Sequence, residues 1–210
     1  MMPDPDRVFA ELTALYPEAR CALRYETDLE LLVAVILSAQ TTDEAVNAAT
    51  PALFSRFRTV DDYAEAELLE LESFLRHLGL YQNKARYLRD ACREIRSRFG
   101  GIIPATRAEL ESLPGVGRKT ADVFLAEWHH VPGIAVDTHV HRVSWRLGFS
   151  AREDSPSAVS EKLMAVFPQD RWISLHHKMI FFGRDLCRAR IPACRECPFR
   201  DFCREPKKTA

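Results

Sequence analysis

Residues 110 to 127 read LESLPGVGRKTADVFLAE. A helical run stops at Pro114, two glycines follow with one residue between them, and a second helical run begins near Lys119. Glycine tolerates the positive backbone angles that so tight a reversal requires. With no side chains at Gly115 and Gly117, the backbone can approach another molecule closely. The amides from Gly115 and Val116 through Gly117, Arg118 and Thr120 open a helix, where unpaired N–H groups and the dipole favour an anion such as a DNA backbone phosphate. A nucleotide loop is excluded. It needs a glycine directly before the lysine and another five residues earlier, and Arg118 and Leu113 stand there. An ordinary αα-corner that binds nothing has the same local pattern, so the turn alone leaves both readings open.

A second group that could do chemistry is CRARIPACRECPFRDFC, with Cys187, Cys194, Cys197 and Cys203 separated by six, two and five residues. Thiols clustered in this way read first as metal ligands, because cytosolic proteins seldom hold disulfides. Metal binding can also order a tail too small for its own core. Zinc and a four-iron cluster both use four cysteines. The isolated central pair with long outer gaps differs from the two-pair zinc ribbon and leans toward iron–sulfur. Arg188, Arg190, Arg195, Arg200 and Arg204 are interleaved with these ligands.

The elements that must position these groups are helical, and no convincing strand is found. The chain has 210 residues, 47 % hydrophobic and 28 % charged, enough for one large domain or two small ones. LLVAVIL, Leu31 to Leu37, is the longest apolar run; it is too short for a membrane span and suits a buried helix turn or strand. Thr41 and Glu44, and again Thr106 and Glu109, have capping-box spacing. Ala85, Leu88, Cys92, Ile95 and Phe99 form the stripe of a core-facing helix, with Lys84, Arg86, Arg89, Arg93 and Arg96 expected on its other faces. Ser155-Pro156 reads as a cap and first-turn proline. About ten helices with short connections are predicted, with a boundary near HHVPG, His130 to Gly133.

Net charge is −1, but it is unevenly spread. Residues 1–75 carry 5 basic and 15 acidic side chains, residues 76–100 carry 7 and 2, and residues 184–208 carry 8 and 4. Two basic patches could face a polyanion while the acidic part faces away, or could be solvated helix faces. The N-terminus shows no signal pattern, so a cytoplasmic protein with no membrane partner is expected.

Several separated motifs, LLVAVILSAQTTD, GLYQNKA, LPGVGRKTA and IAVDTHVHRV, together with the cysteine spacing, resemble the endonuclease III family of helix–hairpin–helix DNA repair glycosylases. The resemblance covers nearly the whole chain; DVFLAEWHHVPG is only loosely family-like. It implies an all-α fold of two helical domains with a DNA-binding cleft between them. One is a six-helix domain of residues 22–132 containing the helix–hairpin–helix. The other combines residues 1–21 and 133–210 and carries a [4Fe–4S] cluster on Cys187, Cys194, Cys197 and Cys203. The implied substrate is double-stranded DNA with damaged bases or abasic sites, acted on by a monomer.

Carried over motif by motif, the resemblance makes Lys119 the catalytic lysine and Asp137 the catalytic aspartate. It gives Gln40 and Leu80 the task of filling the gap left by an extruded base. Ser38, Asp43 and His139 fall in motifs that border the family's pocket. A base inside a duplex cannot be reached, so the nucleotide must swing out; an amide can pair with the orphaned partner while an apolar side chain wedges between bases. Attack on the sugar needs a neutral amine, whereas a free lysine titrates near ~10.4. Removal from water and a place at the positive end of a helix both disfavour the ammonium. Asp137 precedes a helical stretch and can cap it while stabilising positive charge on the sugar or helping to deprotonate Lys119. The implied activity is base removal followed by β-elimination 3′ to the lesion. Two rivals remain. A monofunctional adenine glycosylase would lack the lysine and carry a glutamate where LLVAVILSAQ has no acid. A non-catalytic paralogue would only hold duplex.

Overall fold

The computed structural model of the chain describes residues 3–205. Among them are eleven α-helices, one 3₁₀ turn and no strand. The chain divides into two compact units, Ala22–Val131 and a second made of Met1–Cys21 with Pro132–Ala210. No helix among the described residues is long and apolar enough to cross a membrane.

The Ala22–Val131 unit is built around α2 (Asp28–Leu37), which buries Leu29 and every residue from Leu31 to Leu37. A helix apolar on all sides must be surrounded, and α2 packs against α3 (Asp43–Arg56), α6 (Tyr81–Phe99) and α8 (Arg118–Trp128). The short helices α4 (Val60–Glu65) and α5 (Leu68–Leu75) lie on α6, and α7 (Arg107–Glu111) lies on α8. Seven helices thus stand where six are expected; α7, with five residues, is the shortest. The α6 stripe is buried as predicted at Ala85, Leu88, Cys92 and Ile95, and burial pushes the Cys92 thiol up to about 12. Lys84 departs from expectation. It is 3 % exposed rather than on an outer face, because the segment after α2 covers the first turn of α6 and takes its ammonium on Thr41 Oγ1.

The other unit contains α1 (Pro5–Leu15), α9 (Thr138–Leu147), α10 (Pro156–Val166) and α11 (Trp172–Asp185), with the 3₁₀ turn Gln169–Arg171 before α11. Its core joins Val8 and Leu12 of α1 to Val140, Val143 and Leu147 of α9, Leu163 of α10 and Met179 and Phe182 of α11. Cys187 and Phe199 belong to the same core, which anchors the cysteine-rich segment to the helices. Lys207 and Lys208 of the expected basic segment lie outside the described residues.

The capping signals differ in detail from the reading above. Ser155 caps α10, accepting from the Ala158 amide. Thr106 caps α7, but the Glu109 carboxylate takes the Thr106 hydroxyl at 2.5 Å, so the reciprocal half of the box is missing. Thr42, not Thr41, caps α3, accepting from Ala45 N; the helix begins one residue later because the Thr41 hydroxyl is engaged by Lys84. A complete capping box occurs instead at Thr59 and Asp62.

Candidate functional site

The hairpin turn follows directly from its residues. The last turn of α7 tightens as Leu113 N donates to Leu110 O at 3.0 Å, and Val116 N then donates to Leu113 O at 3.1 Å. Gly115 has φ +79, and a Cβ there would lie 2.7 Å from Cβ of Tyr87 on α6. Val116 is 5 % exposed, so only its backbone can meet a ligand. Gly117 opens α8 in an extended conformation, with no side-chain cap, and a Cβ there would meet nothing within 4 Å. The ion pair of Arg107 with Asp122, 2.6 Å, ties α7 to α8. The start of α8 therefore presents uncapped amides on an open, rigidly held corner.

The two glycines are expected to respond differently to alanine. Gly115→Ala meets both a left-handed backbone and the Tyr87 ring, and should cost about 2 kcal/mol or more in a thermal melt. Gly117→Ala should stay within about 1 kcal/mol of the parent yet weaken duplex binding, because the added methyl stands where a phosphate would approach. Equal melting losses, with binding untouched at Gly117, would contradict this division.

Lys119 lies in the first turn of α8 with its side chain exposed, as is Arg118, while Thr120 is half-buried. The expected removal of the lysine from water is therefore not supplied by the protein.

Gln40 and Leu80 are both in the left-handed region, φ 55 and φ 59. For residues other than glycine this costs about 1 kcal/mol or more each, and it is met at positions held for a purpose. Leu80 is the residue before α6 and is 56 % exposed, where a core role would have buried it. Gln40 is also exposed. The two segments adjoin: a Cβ on Gly79 would be 4.0 Å from Gln40 O. Ser38 closes α2, half-buried, its hydroxyl donating to Val35 O at 2.8 Å, and Asp43 is the first residue of α3.

In the other unit, Asp137 caps α9. Its Oδ1 accepts from both His139 N and Val140 N, each at 2.8 Å. Oδ2 accepts no hydrogen bond among the described residues, so capping occupies only half the carboxylate. His139 is half-buried, and burial holds its imidazole below the ordinary value, with Asp137 pulling the other way. Its Nδ1 lies 3.1 Å from Nη2 of Arg142, whose guanidinium also donates to Gly183 O at 2.8 Å and Cys187 O at 3.0 Å.

The four clustered cysteines line one cavity together with Arg146 and Glu205. Among the described residues no group of three or more His, Cys, Asp or Glu side chains is close enough to hold a metal ion as it stands. Burial raises the Cys187 thiol, against an opposing pull from Arg146, and pushes Cys197 up to about 11. Arg146 is 5 % exposed. Its guanidinium contacts Cys187 Sγ at 3.4 Å, Arg188 O at 2.8 Å and Glu205 at 2.6 Å, while its buried Nε has no acceptor among the described residues. Sequence reasoning missed Arg142 and Arg146, since arginines in a helix ordinarily read as solvated. The interleaved arginines 188, 190, 195, 200 and 204 are all exposed.

The basic stretch 76–100 is less available than its charge suggests. Arg93 donates to Ala64 O, Arg96 pairs with Glu65 and Arg98 with Glu94. Much of that surplus is spent on local partners, two of them acids.

Residues 33–169 match the model of the HhH-GPD superfamily base excision DNA repair proteins. The chain is 45 % identical over 194 residues to endonuclease III of Bacillus subtilis, covering 92 % of this chain and 89 % of that one. It is 40 % identical over 201 residues to endonuclease III of Haemophilus influenzae, covering 96 % and 95 %. Among solved structures it superimposes on a trapped endonuclease III–DNA covalent intermediate with a TM-score of 0.93 at 45 % identity, covering 98 % of this chain and 97 % of that one. A thermostable thymine-DNA glycosylase, 20 % identical, shares the fold at a TM-score of 0.84. The match over most of the chain to a superfamily model and to curated relatives shows that the chain belongs to the endonuclease III family of the HhH-GPD superfamily.

Proposed function

We propose that this protein is a bifunctional DNA glycosylase and abasic-site lyase that removes oxidised pyrimidines from duplex DNA. The observation that carries this reading is Lys119, standing exposed in the first turn of an uncapped helix, in a chain so similar to a protein caught covalently on DNA. The α8 amides and Gly117 hold a backbone phosphate. Leu80 wedges into the stack and Gln40 pairs with the orphaned base. The neutral Lys119 amine attacks C1′ of the extruded nucleotide, the base departs with the bonding electrons, and an imine joins lysine to the opened sugar. The free oxygen of Asp137 stabilises the positive charge that develops on the sugar. Loss of a C2′ proton then expels the 3′ phosphate, and water releases the lysine. The Ala22–Val131 unit is on this reading the hairpin-bearing domain.

The residues lining the cysteine cavity fit a [4Fe–4S] cluster, which takes one thiolate at each of four corners: four cysteines line the one cavity, and their six, two and five spacing differs from the paired spacing of a zinc ribbon. Buried thiols resist ionisation, so a cationic centre must hold them as thiolates, with Arg146 as a buried counter-charge and its orphaned Nε as a donor. The cluster would supply a rigid frame for the exposed arginines of the loop.

The test is a panel of duplexes carrying thymine glycol, dihydrouracil or a bare abasic site. Release of the oxidised base together with a nick is the expected result, from a brown preparation holding about four irons per chain. Nicking of the abasic duplex alone would reduce the protein to a lyase, and zinc in place of iron would refute the ligand reading.

A further inference from the structure

Lys84 is buried where folding has little use for a cation. It lies in the first turns of α6, at the positive end of that helix, and its ammonium meets only a neutral hydroxyl, Thr41 Oγ1. No carboxylate pairs with it among the described residues, and burial holds its pKa below the ordinary lysine value. A buried charge without an ionic partner opposes stability, so a methionine of similar shape would serve the core better. What the contact does achieve is geometric. Thr41 follows Gln40 directly, and the Lys84 amide donates to Leu80 O at 3.0 Å. One side chain thus links the segment carrying Gln40 to the helical turn carrying Leu80, across 43 positions of sequence. Both linked residues sit in left-handed backbone, which relaxes unless its surroundings restrain it.

We propose that Lys84 is a positioning residue that locks the Gln40 and Leu80 segments together, so that both side chains enter the opened duplex in register. The proposal rests on the assignment of Gln40 and Leu80 as the residues that fill the vacated stack. It explains why a cation that costs stability is kept: an ammonium–hydroxyl bond is stronger and more directional than an apolar contact.

The experiment compares cleavage of an abasic site in duplex with cleavage of the same site in a single strand, where no stack has to be opened. Lys84→Met should lower the duplex-to-single-strand rate ratio about tenfold, the effect of losing one charge-assisted hydrogen bond, without lowering the melting temperature. Thr41→Val should lower the ratio similarly, and the double variant should fall no further, because both remove one contact. An unchanged ratio in Lys84→Met, with a lowered ratio in Leu80→Ala, would overturn the role of Lys84 and leave the wedge assignment standing. Unchanged ratios in Gln40→Ala and Leu80→Ala would overturn the wedge assignment itself. A proportional fall in both rates together with the melting temperature would make Lys84 merely structural.

Discussion

Borohydride added during turnover of an abasic duplex is expected to trap a covalent protein–DNA adduct, and Lys119→Ala is expected to yield none. The adduct exists only if an amine has formed an imine with the opened sugar, since reduction of that imine makes the bond permanent. Turnover in the variant should fall by on the order of 10⁴-fold or more, the scale on which loss of a nucleophile acts. Stability should hardly change, because the Lys119 side chain is exposed and such surface substitutions usually stay within about 0.5 kcal/mol. Lys119→Arg sharpens the result. It keeps a cation for phosphate contact but presents a group that does not deprotonate, so duplex affinity should persist while the adduct disappears. Adduct of parental yield in Lys119→Ala would end the assignment of the nucleophile.

Replacing Asp137 should separate two duties that one side chain performs. Asparagine caps a helix about as well as aspartate, and a neutral Oδ1 can still accept from His139 N and Val140 N. Asp137→Asn should therefore melt near the parent, losing only a few tenths of a kcal/mol of charge–dipole interaction. Its rate of base removal should drop about 10²- to 10³-fold, as when a group stabilising developing charge is removed. Asp137→Ala loses the cap as well, costing about 1 kcal/mol and a melting shift of roughly 2–4 °C. The ring of His139 gives an independent check. Burial holds its pKa down while Asp137 raises it, so loss of that negative charge should move the His139 titration, followed by NMR, to still lower pH. A fully active Asp137→Asn protein would leave the aspartate a cap and nothing more.

Both experiments depend on features whose visibility in the sequence differs. The hairpin, the cap on α9 and the cap and proline of α10 were legible because each is encoded within a few adjacent residues, and the clustering of four cysteines about one cavity because they fall within one short segment. Backbone geometry after Pro114, or the reach of Asp137 to an amide two residues on, depends on little else. The stripe of α6 was legible for the same reason, since helical period is a local property.

The tertiary structure decided what local spacing could not. Thr41 and Thr42 offer the same cap chemistry one residue apart, and Lys84, far along the chain, selected between them by engaging the Thr41 hydroxyl. Leu80 is apolar yet exposed; Lys84 reads as surface and is buried. The basic surplus of residues 76–100 reads equally as a binding face or as solvated helix faces, and the fold pairs Arg96 and Arg98 with glutamates. Arg146 reads as a solvated helix residue and lies against Cys187. In each case the side chain's environment is set by which distant segment covers it, and burial, unlike capping or helical period, is a property of packed surfaces rather than of neighbours in sequence.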